Sequence, residues 1–142
     1  MGPPRPSQSR LFDASALVNL LISRGGSALD AARGSSTLDL ALYEAGNALW
    51  KLSTLHHNLS PAEADSLHGA LVRMALNHMN LIGVSELDHP SVSKLARAER
   101  ITYYDAAYIC AAKDRRCELI TDDGRLARAA RSFLVVKDSS AL

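Results

Sequence analysis

Apolar residues follow two alternating patterns along the chain. Short apolar runs predict β-strands at residues 10–12, 36–40, 81–84, 118–121 and 133–136. Longer stretches, in which apolar residues recur every three or four positions, predict helices at 14–23, 41–52, 61–79, 90–99, 102–113 and 124–130. The helix that starts at Pro61 has the strongest start signal, because Ser60 and Glu63 have the spacing of a capping box.

Repeated alternation of strand and helix is typical of a parallel sheet with helices on both faces. We therefore predict an α/β fold, a three-layer α/β/α sandwich whose central parallel sheet has about five strands. In such sheets a ligand binds at the carboxyl ends of the strands, where the strand order reverses. Functional residues are expected at that edge.

The length of 142 residues corresponds to one domain, and 47% hydrophobic residues are enough to bury a core. The first nine residues, MGPPRPSQS, are polar and rich in proline, which predicts a disordered leader at 1–9 before a folded domain at 10–142. No stretch has the length of a membrane span, so we expect a cytoplasmic protein without a membrane partner. Cys110 and Cys117 match no disulfide framework or zinc pattern, and buried thiols are expected.

Charge is almost balanced, with 16 Lys and Arg against 15 Asp and Glu. The chain therefore lacks the strong positive field of an avid nucleic-acid binder. From Pro90 onward, however, ten basic residues outnumber seven acidic ones, so this part of the chain is better suited to face a polyanion. Arg125, Arg128 and Arg131 have a spacing that fits either an RNA backbone contact or a solvated helix face. Arg125 is the best candidate for RNA contact.

Four carboxylates are predicted to meet at one edge of the sheet. Asp13 follows the first predicted strand and Asp123 follows the fourth, while Glu44 and Asp105 fall in the first turns of predicted helices. Strand carboxyl ends and the amino ends of the following helices share one edge of a doubly wound sheet. All four side chains should therefore point toward the same crevice.

Each acid also has a structural interpretation. Asp13 could simply cap the helix that follows it, and Asp105 could close a capping box with Thr102. Asp122 and Asp123 could serve the turn before the next helix. Glu44 fits such an interpretation least, because apolar residues flank it.

Taken together, the four acids favour a metal site. Carboxylates crowded into one crevice stay ionised only if a positive charge joins them. A cluster of oxygen ligands suits Mg²⁺ or Mn²⁺, one or two ions, and does not suit zinc. Such ions promote the hydrolysis of phosphodiester bonds.

Four segments carry a resemblance to a known family, and they occur in the family's order. These are LFDASALV (11–18), LYEAGNAL (42–49), TYYDAAY (102–108) and LITDDGRL (119–126). They resemble the signature blocks of PIN-domain ribonucleases, most of all the VapC-type toxins of toxin–antitoxin pairs. The resemblance covers nearly the whole chain after the leader.

The resemblance implies an endoribonuclease that hydrolyses RNA with Mg²⁺ or Mn²⁺. It assigns the catalytic and metal-binding acids to Asp13, Glu44, Asp105 and Asp123. Asp122 is a candidate for a supplementary ligand, and Ser15 and Thr121 match positions that support the site by hydrogen bonding. The resemblance also implies a homodimer and a small antitoxin protein that covers the active-site groove.

Other interpretations remain. The fold could belong to an RNA-processing nuclease that has no antitoxin. A phosphate-accepting receiver domain also clusters acids, but it needs an acidic pair after its first strand, whereas Asp122 and Asp123 come late and Lys137 is only a loose match for its lysine. Tyr43 and Trp50 lie near Glu44 and fit base stacking, although core packing is the better interpretation for Trp50.

Overall fold

A computed structural model describes residues 9–142 of the chain. Its sheet has five strands, which are β1 (Arg10–Phe12), β2 (Ser36–Leu38), β3 (Asn80–Ile82), β4 (Glu118–Ile120) and β5 (Val136–Lys137). All neighbouring strands are parallel, and their order across the sheet is β3-β2-β1-β4-β5. The predicted parallel sheet is confirmed.

Helices cover both faces of this sheet. They are α1 (Ala14–Arg24), α2 (Ala28–Ala32), α3 (Leu40–Trp50), α4 (Pro61–His78), α5 (His89–Glu99), α6 (Tyr103–Asp114) and α7 (Gly124–Ala130). α1, α3 and α4 pack against one another, and α5 packs against α6. Because β–α–β crossovers are right-handed, the helices before β3 lie on one face and those after it on the other. The predicted three-layer α/β/α sandwich is confirmed.

The central strands β1 and β4 are buried on both faces. Leu11 and Phe12 are fully buried in β1, as are Leu119 and Ile120 in β4. Successive residues of a strand point to opposite faces, so a helical layer must cover each side. This packing fixes the carboxyl ends of β1 and β4 side by side.

The prediction was wrong at several boundaries. The last strand was placed at 133–136, but the N–H groups of Phe133 and Leu134 both bond to the carbonyl of Ala130, which turns the chain before β5 begins. The second strand ends at Leu38 because α3 begins two residues later. The helix α2 was not predicted. The capping box of Ser60 and Glu63 is present as predicted.

The predicted leader lies outside the described residues, except for Ser9. The Ser9 carbonyl accepts a hydrogen bond of 2.9 Å from the N–H of Glu118 in β4. Ser9 therefore extends the β1–β4 pairing and belongs to the folded domain. Within residues 9–142, none of the helices combines the length and the apolar character that crossing a membrane requires.

The strand order places a topological switch between β1 and β4. The chain runs outward from β1 to β2 and β3, then crosses to the other side of β1 to form β4 and β5. The connections on the two sides of this point diverge, which leaves a crevice at the strand carboxyl ends.

Candidate functional site

A cavity of about 570 Å³ opens at this switch point. Asp13, Glu44, Asp105 and Asp123 all line it. The structure thus brings together the four acids that come from the end of β1, α3, α6 and the end of β4. Their convergence follows from the strand order, because each segment reaches the same edge of the sheet.

Asp13 is the most buried of the four, with 4% of its surface exposed. It caps α1, since its Oδ1 accepts a hydrogen bond of 2.9 Å from the N–H of Ala16. The hydroxyl of Ser15 lies 2.7 and 2.9 Å from its two carboxylate oxygens, and the hydroxyl of Thr121 donates to Oδ2 at 2.5 Å. Its structural and site-forming roles therefore coexist.

The hydroxyls of Ser15 and Thr121 connect Asp13 to the loop after β4. The Ser15 Oγ accepts from the N–H of Asp122 at 3.0 Å, and the Thr121 Oγ1 accepts from the N–H of Asp123 at 3.0 Å. Each hydroxyl donates to Asp13 and accepts from the loop. The position of Asp123 relative to Asp13 is fixed through these two bridges.

Asp123 caps α7 through one of its oxygens. Its Oδ1 accepts from the N–H groups of Arg125 at 2.9 Å and Leu126 at 3.5 Å. Within residues 9–142, its Oδ2 accepts no hydrogen bond. That oxygen is available to a ligand in the cavity.

Glu44 is held by a tyrosine from the opposite wall. The hydroxyl of Tyr108 in α6 donates to Glu44 Oε1 at 2.7 Å, and Tyr108 itself is 2% exposed. Glu44 is the fifth residue of α3, so its predicted place in the first helical turn was wrong. The helix begins one residue earlier than predicted, at Leu40, so Glu44 falls just past the first turn.

Asp105 is the least restrained acid. Thr102 caps α6 by accepting from the N–H of Asp105 at 3.0 Å, but the Asp105 carboxylate does not return a bond to the N–H of Thr102. The structural alternative of a complete capping box is therefore not realised. No described residue donates a hydrogen bond to this carboxylate within 3.5 Å.

The four acids repel one another. Burial, aided by the charge of Asp123, raises the pKa of Asp13 from 3.8 to about 6, although the hydrogen bonds from Thr121, Ala16 and Ser15 act in the opposite direction. Burial also raises the pKa of Glu44 and of Asp105, and neighbouring carboxylates add to both increases. The guanidinium of Arg125 lowers the pKa of Asp105. The ionised site therefore carries excess negative charge, which a bound cation would offset.

The donor set fits a hard divalent cation. Asp105, Asp123 and Glu44 each present a carboxylate oxygen free of hydrogen bonds to other described residues. Oxygen donors of this kind are the ligands of Mg²⁺ and Mn²⁺. No three acidic, histidine or cysteine side chains of residues 9–142 are already close enough to hold one ion together. Binding would therefore require side chains to rotate inward.

Asp122 lies apart from this cavity. Its Oδ1 accepts from the N–H of Ser139 at 2.7 Å, and its Oδ2 accepts from the Ser139 hydroxyl at 2.6 Å and the Asn19 amide at 2.8 Å. It lines a separate concavity near the C-terminus. In this structure Asp122 anchors the C-terminal segment.

The contrast between Asp105 and Asp122 gives a stability prediction. Without divalent cations, Asp105→Asn should leave the free energy of unfolding unchanged or higher, because it removes repulsion and no strong hydrogen bond. Asp122→Asn should lower it by about 1–3 kcal/mol, because the donors of Ser139 and Asn19 lose a charged acceptor. Urea-induced unfolding measures both. A loss of more than about 2 kcal/mol in Asp105→Asn would identify Asp105 as a structural anchor.

Several cavity residues were not singled out by the sequence patterns. Tyr108, Asn47, Lys51 and Tyr104 line the cavity together with Tyr43. A helical spacing could have revealed Asn47 and Lys51, which follow Tyr43 at four-residue intervals. Tyr108 could have been found in the same way, one turn after Asp105.

Trp50 was expected in the core, and this was wrong. It is 49% exposed and lines a separate concavity between α3 and α4. It is the last residue of α3, where the helix reaches the edge of the domain.

No protein-family model and no curated protein matches the chain. Among solved structures, the chain is similar to the crystal structure of PAE2754 from Pyrobaculum aerophilum, with 25% sequence identity and a TM-score of 0.75. The match covers 94% of this chain and 85% of that chain. This likeness agrees with the three-layer fold.

Proposed function

We propose that the chain is a Mg²⁺- or Mn²⁺-dependent endoribonuclease that hydrolyses RNA phosphodiester bonds. The observation that carries this proposal is the convergence of Asp13, Glu44, Asp105 and Asp123 in one cavity at the switch point of the sheet. The four sequence blocks that resemble PIN domains contain these same residues. Helix capping accounts in part for the presence of Asp13 and Asp123 at these positions, but it does not account for Glu44 or Asp105.

The proposed role of each acid follows from how many hydrogen bonds restrain its carboxylate. Asp13 is fixed by two hydroxyls and a backbone N–H, which suits a group that sets the position of the site. Asp105 and the free oxygen of Asp123 can move toward a cation. Bound Mg²⁺ or Mn²⁺ would stabilise negative charge on the phosphate and make water a better nucleophile. One of the carboxylates would orient the attacking water for in-line displacement.

The metal proposal predicts a thermal response. Mg²⁺ or Mn²⁺ at millimolar concentration should raise the melting temperature, because an ion that binds the folded state stabilises it by mass action. Asp13→Asn, Asp105→Asn or Asp123→Asn should remove most of that gain, and Asp122→Asn should keep it. Calorimetry with and without the ion checks this. An unmodified protein that shows no response would contradict the proposed metal site.

We further propose that the chain is the toxin of a toxin–antitoxin pair, acts in the cytoplasm, forms a homodimer and is covered by a small antitoxin protein. These proposals rest on the resemblance to VapC-type toxins. An RNA-processing nuclease would use the same cavity without an antitoxin. A short gene overlapping the upstream end of this one would favour the toxin.

The receiver-domain alternative has little support. Receiver domains have the strand order 2-1-3-4-5, whereas this sheet has the order β3-β2-β1-β4-β5. The lysine that the alternative needs is also engaged elsewhere, since Lys137 Nζ lies 3.1 Å from an oxygen of Glu118. The nuclease proposal requires only that the four acids meet at the switch point of the observed strand order.

A further inference from the structure

The acids of the cavity differ in how many carboxylate oxygens they can offer to a cation. Both oxygens of Asp13 already accept hydrogen bonds. Glu44 and Asp123 each use one oxygen in this way, and no residue of 9–142 donates to the other. Asp105 has both oxygens free of such bonds. The described residues therefore leave four oxygens free, one on Glu44, one on Asp123 and two on Asp105.

A side chain, and not the backbone, occupies the second oxygen of Glu44. The Oδ1 of Asp123 accepts from backbone N–H groups at the start of α7. The Oε1 of Glu44 instead accepts from the hydroxyl of Tyr108 at 2.7 Å. Tyr108 lies one helical turn after Asp105, so the same face of α6 carries a free carboxylate and the donor that restrains the acid opposite it. The number of oxygens that Glu44 offers therefore depends on one side chain.

Tyr108 is a persistent donor. A tyrosine hydroxyl carries one proton, and this one is donated to Glu44. Tyr108 is 2% exposed, so water has little access to compete for the bond. Burial and the charge of Glu44 raise the pKa of the Tyr108 phenol well above its usual range, so the hydroxyl keeps its proton at neutral pH. While this bond persists, Glu44 cannot give both oxygens to one cation.

We propose that Tyr108 is a positioning residue that limits Glu44 to one oxygen and thereby sets the preference of the acidic site for Mg²⁺ or Mn²⁺ over Ca²⁺. This inference rests on the metal site of the function proposed above, and it names a residue that determines the ion selectivity of that site. Tyr108 acts through Glu44, by fixing the orientation of its carboxylate.

Ion size and ligand number account for the preference. Ca²⁺ takes about six to eight oxygens and often binds both oxygens of a carboxylate, whereas Mg²⁺ needs about six in a near-ideal octahedron and keeps several waters. Mn²⁺ shares the octahedral oxygen geometry. Few carboxylate oxygens therefore suit Mg²⁺ or Mn²⁺ better than Ca²⁺, because water completes the shell of the smaller ions. Removal of the Tyr108 hydroxyl would free a further oxygen, which Ca²⁺ is better able to use.

The test is titration calorimetry with manganese chloride and, separately, calcium chloride, which gives a dissociation constant for each ion. Tyr108→Phe keeps the ring and removes the hydroxyl. Tyr104→Phe is the matched control, since Tyr104 lies on the same helix and lines the same cavity. It is 55% exposed, and within residues 9–142 its hydroxyl donates to none of the four acids. Melting temperatures without divalent ions confirm that each variant is folded.

Tyr108→Phe should weaken Mn²⁺ binding about tenfold, the loss typical of a residue that supports a metal ligand. Ca²⁺ binding should weaken no more than about twofold, because the freed oxygen offsets the lost orientation. The ratio of the two dissociation constants should therefore shift at least about fivefold toward Ca²⁺. Tyr104→Phe should leave that ratio unchanged. In the unmodified protein Mn²⁺ should bind more tightly than Ca²⁺, and the reverse order would overturn the inference without any variant.

The same substitution in a Glu44→Gln background shows whether Tyr108 acts through Glu44. The carboxylate that Tyr108 restrains is absent from this background, so Tyr108→Phe should not shift the ratio further. A general loosening of the cavity would instead weaken both ions alike in either background.

Each failure has its own signature. If the ions bind but Tyr108→Phe weakens both equally or changes neither, the inference is overturned and the metal site stands. A shift in the ratio that persists in the Glu44→Gln background also overturns it. If the ions bind with the expected selectivity but RNA is not cleaved in Mg²⁺ or Mn²⁺, the inference stands and the nuclease function is refuted. If the unmodified protein binds neither ion, the metal site and the inference are refuted together.

Discussion

Asn in place of Asp105 is expected to lower the rate constant of RNA cleavage about a thousandfold, with the fold intact. A divalent cation supplies several kcal/mol of transition-state stabilisation, and an acid that helps to hold it controls that contribution. Asp13→Asn and Glu44→Gln should have comparable effects. Because the acids act as a unit, a second substitution should add little to the first.

Single-turnover cleavage of a susceptible RNA measures this prediction, and Asp122→Asn is the matched control. Asp122 has the same side chain one residue from Asp123, but its oxygens bond to Ser139 and Asn19. Its replacement should leave most of the cleavage rate. Undiminished cleavage in both Asp13→Asn and Glu44→Gln would place the activity elsewhere. An essential Asp122 with a dispensable Asp123 would move the assigned ligand by one residue.

Without divalent cations, the protein is expected to become less stable as the pH rises from 4 to 7. The pKa of Asp13 is raised from 3.8 to about 6 by burial, so the folded state holds this proton more tightly than the unfolded state does. Between these two values the folded state binds more protons, and the free energy of unfolding therefore falls with increasing pH. The contribution of Asp13 amounts to about 3 kcal/mol.

Urea-induced unfolding of the unmodified protein and of Asp13→Asn, measured across this pH range, isolates the effect. As the pH rises, the unmodified protein should lose unfolding free energy relative to Asp13→Asn, because asparagine does not titrate. Carboxylates that do not interact with Asp13 cancel in the comparison. Mn²⁺ should reverse the trend at pH 7 by binding the ionised carboxylates. Parallel curves for the two proteins would show that Asp13 does not titrate in this range.

The positions of Asp13 and Asp123 were accessible to sequence reasoning. Asp13 directly follows a short strand with buried apolar residues, and Asp123 lies three residues past the end of another. A parallel sheet forces the ends of such strands to one edge. The start of β5 was not accessible, because Phe133 and Val136 are equally apolar and only the backbone bonds to Ala130 decide where the turn ends. Local patterns carry no information about that choice.

Contacts between distant segments were also beyond the sequence. The bond from Tyr108 to Glu44 joins residues 64 positions apart, and it depends on how α6 is placed against α3. The sequence pattern places Tyr108 in a predicted helix but does not show what its hydroxyl contacts. For the same reason, the sequence assigned Trp50 to the core although it ends a helix at the domain surface.

The hydrogen bond from Thr121 to Asp13 spans 108 residues of sequence. During synthesis on the ribosome, a growing chain that has not yet reached β4 has no partner for the outer edge of β1 and lacks Thr121 and Asp123 altogether. Contacts of such long sequence separation form late, because the loop between them must be closed first. The nascent polypeptide therefore has no assembled site until Asp123 has been translated and β4 has paired with β1.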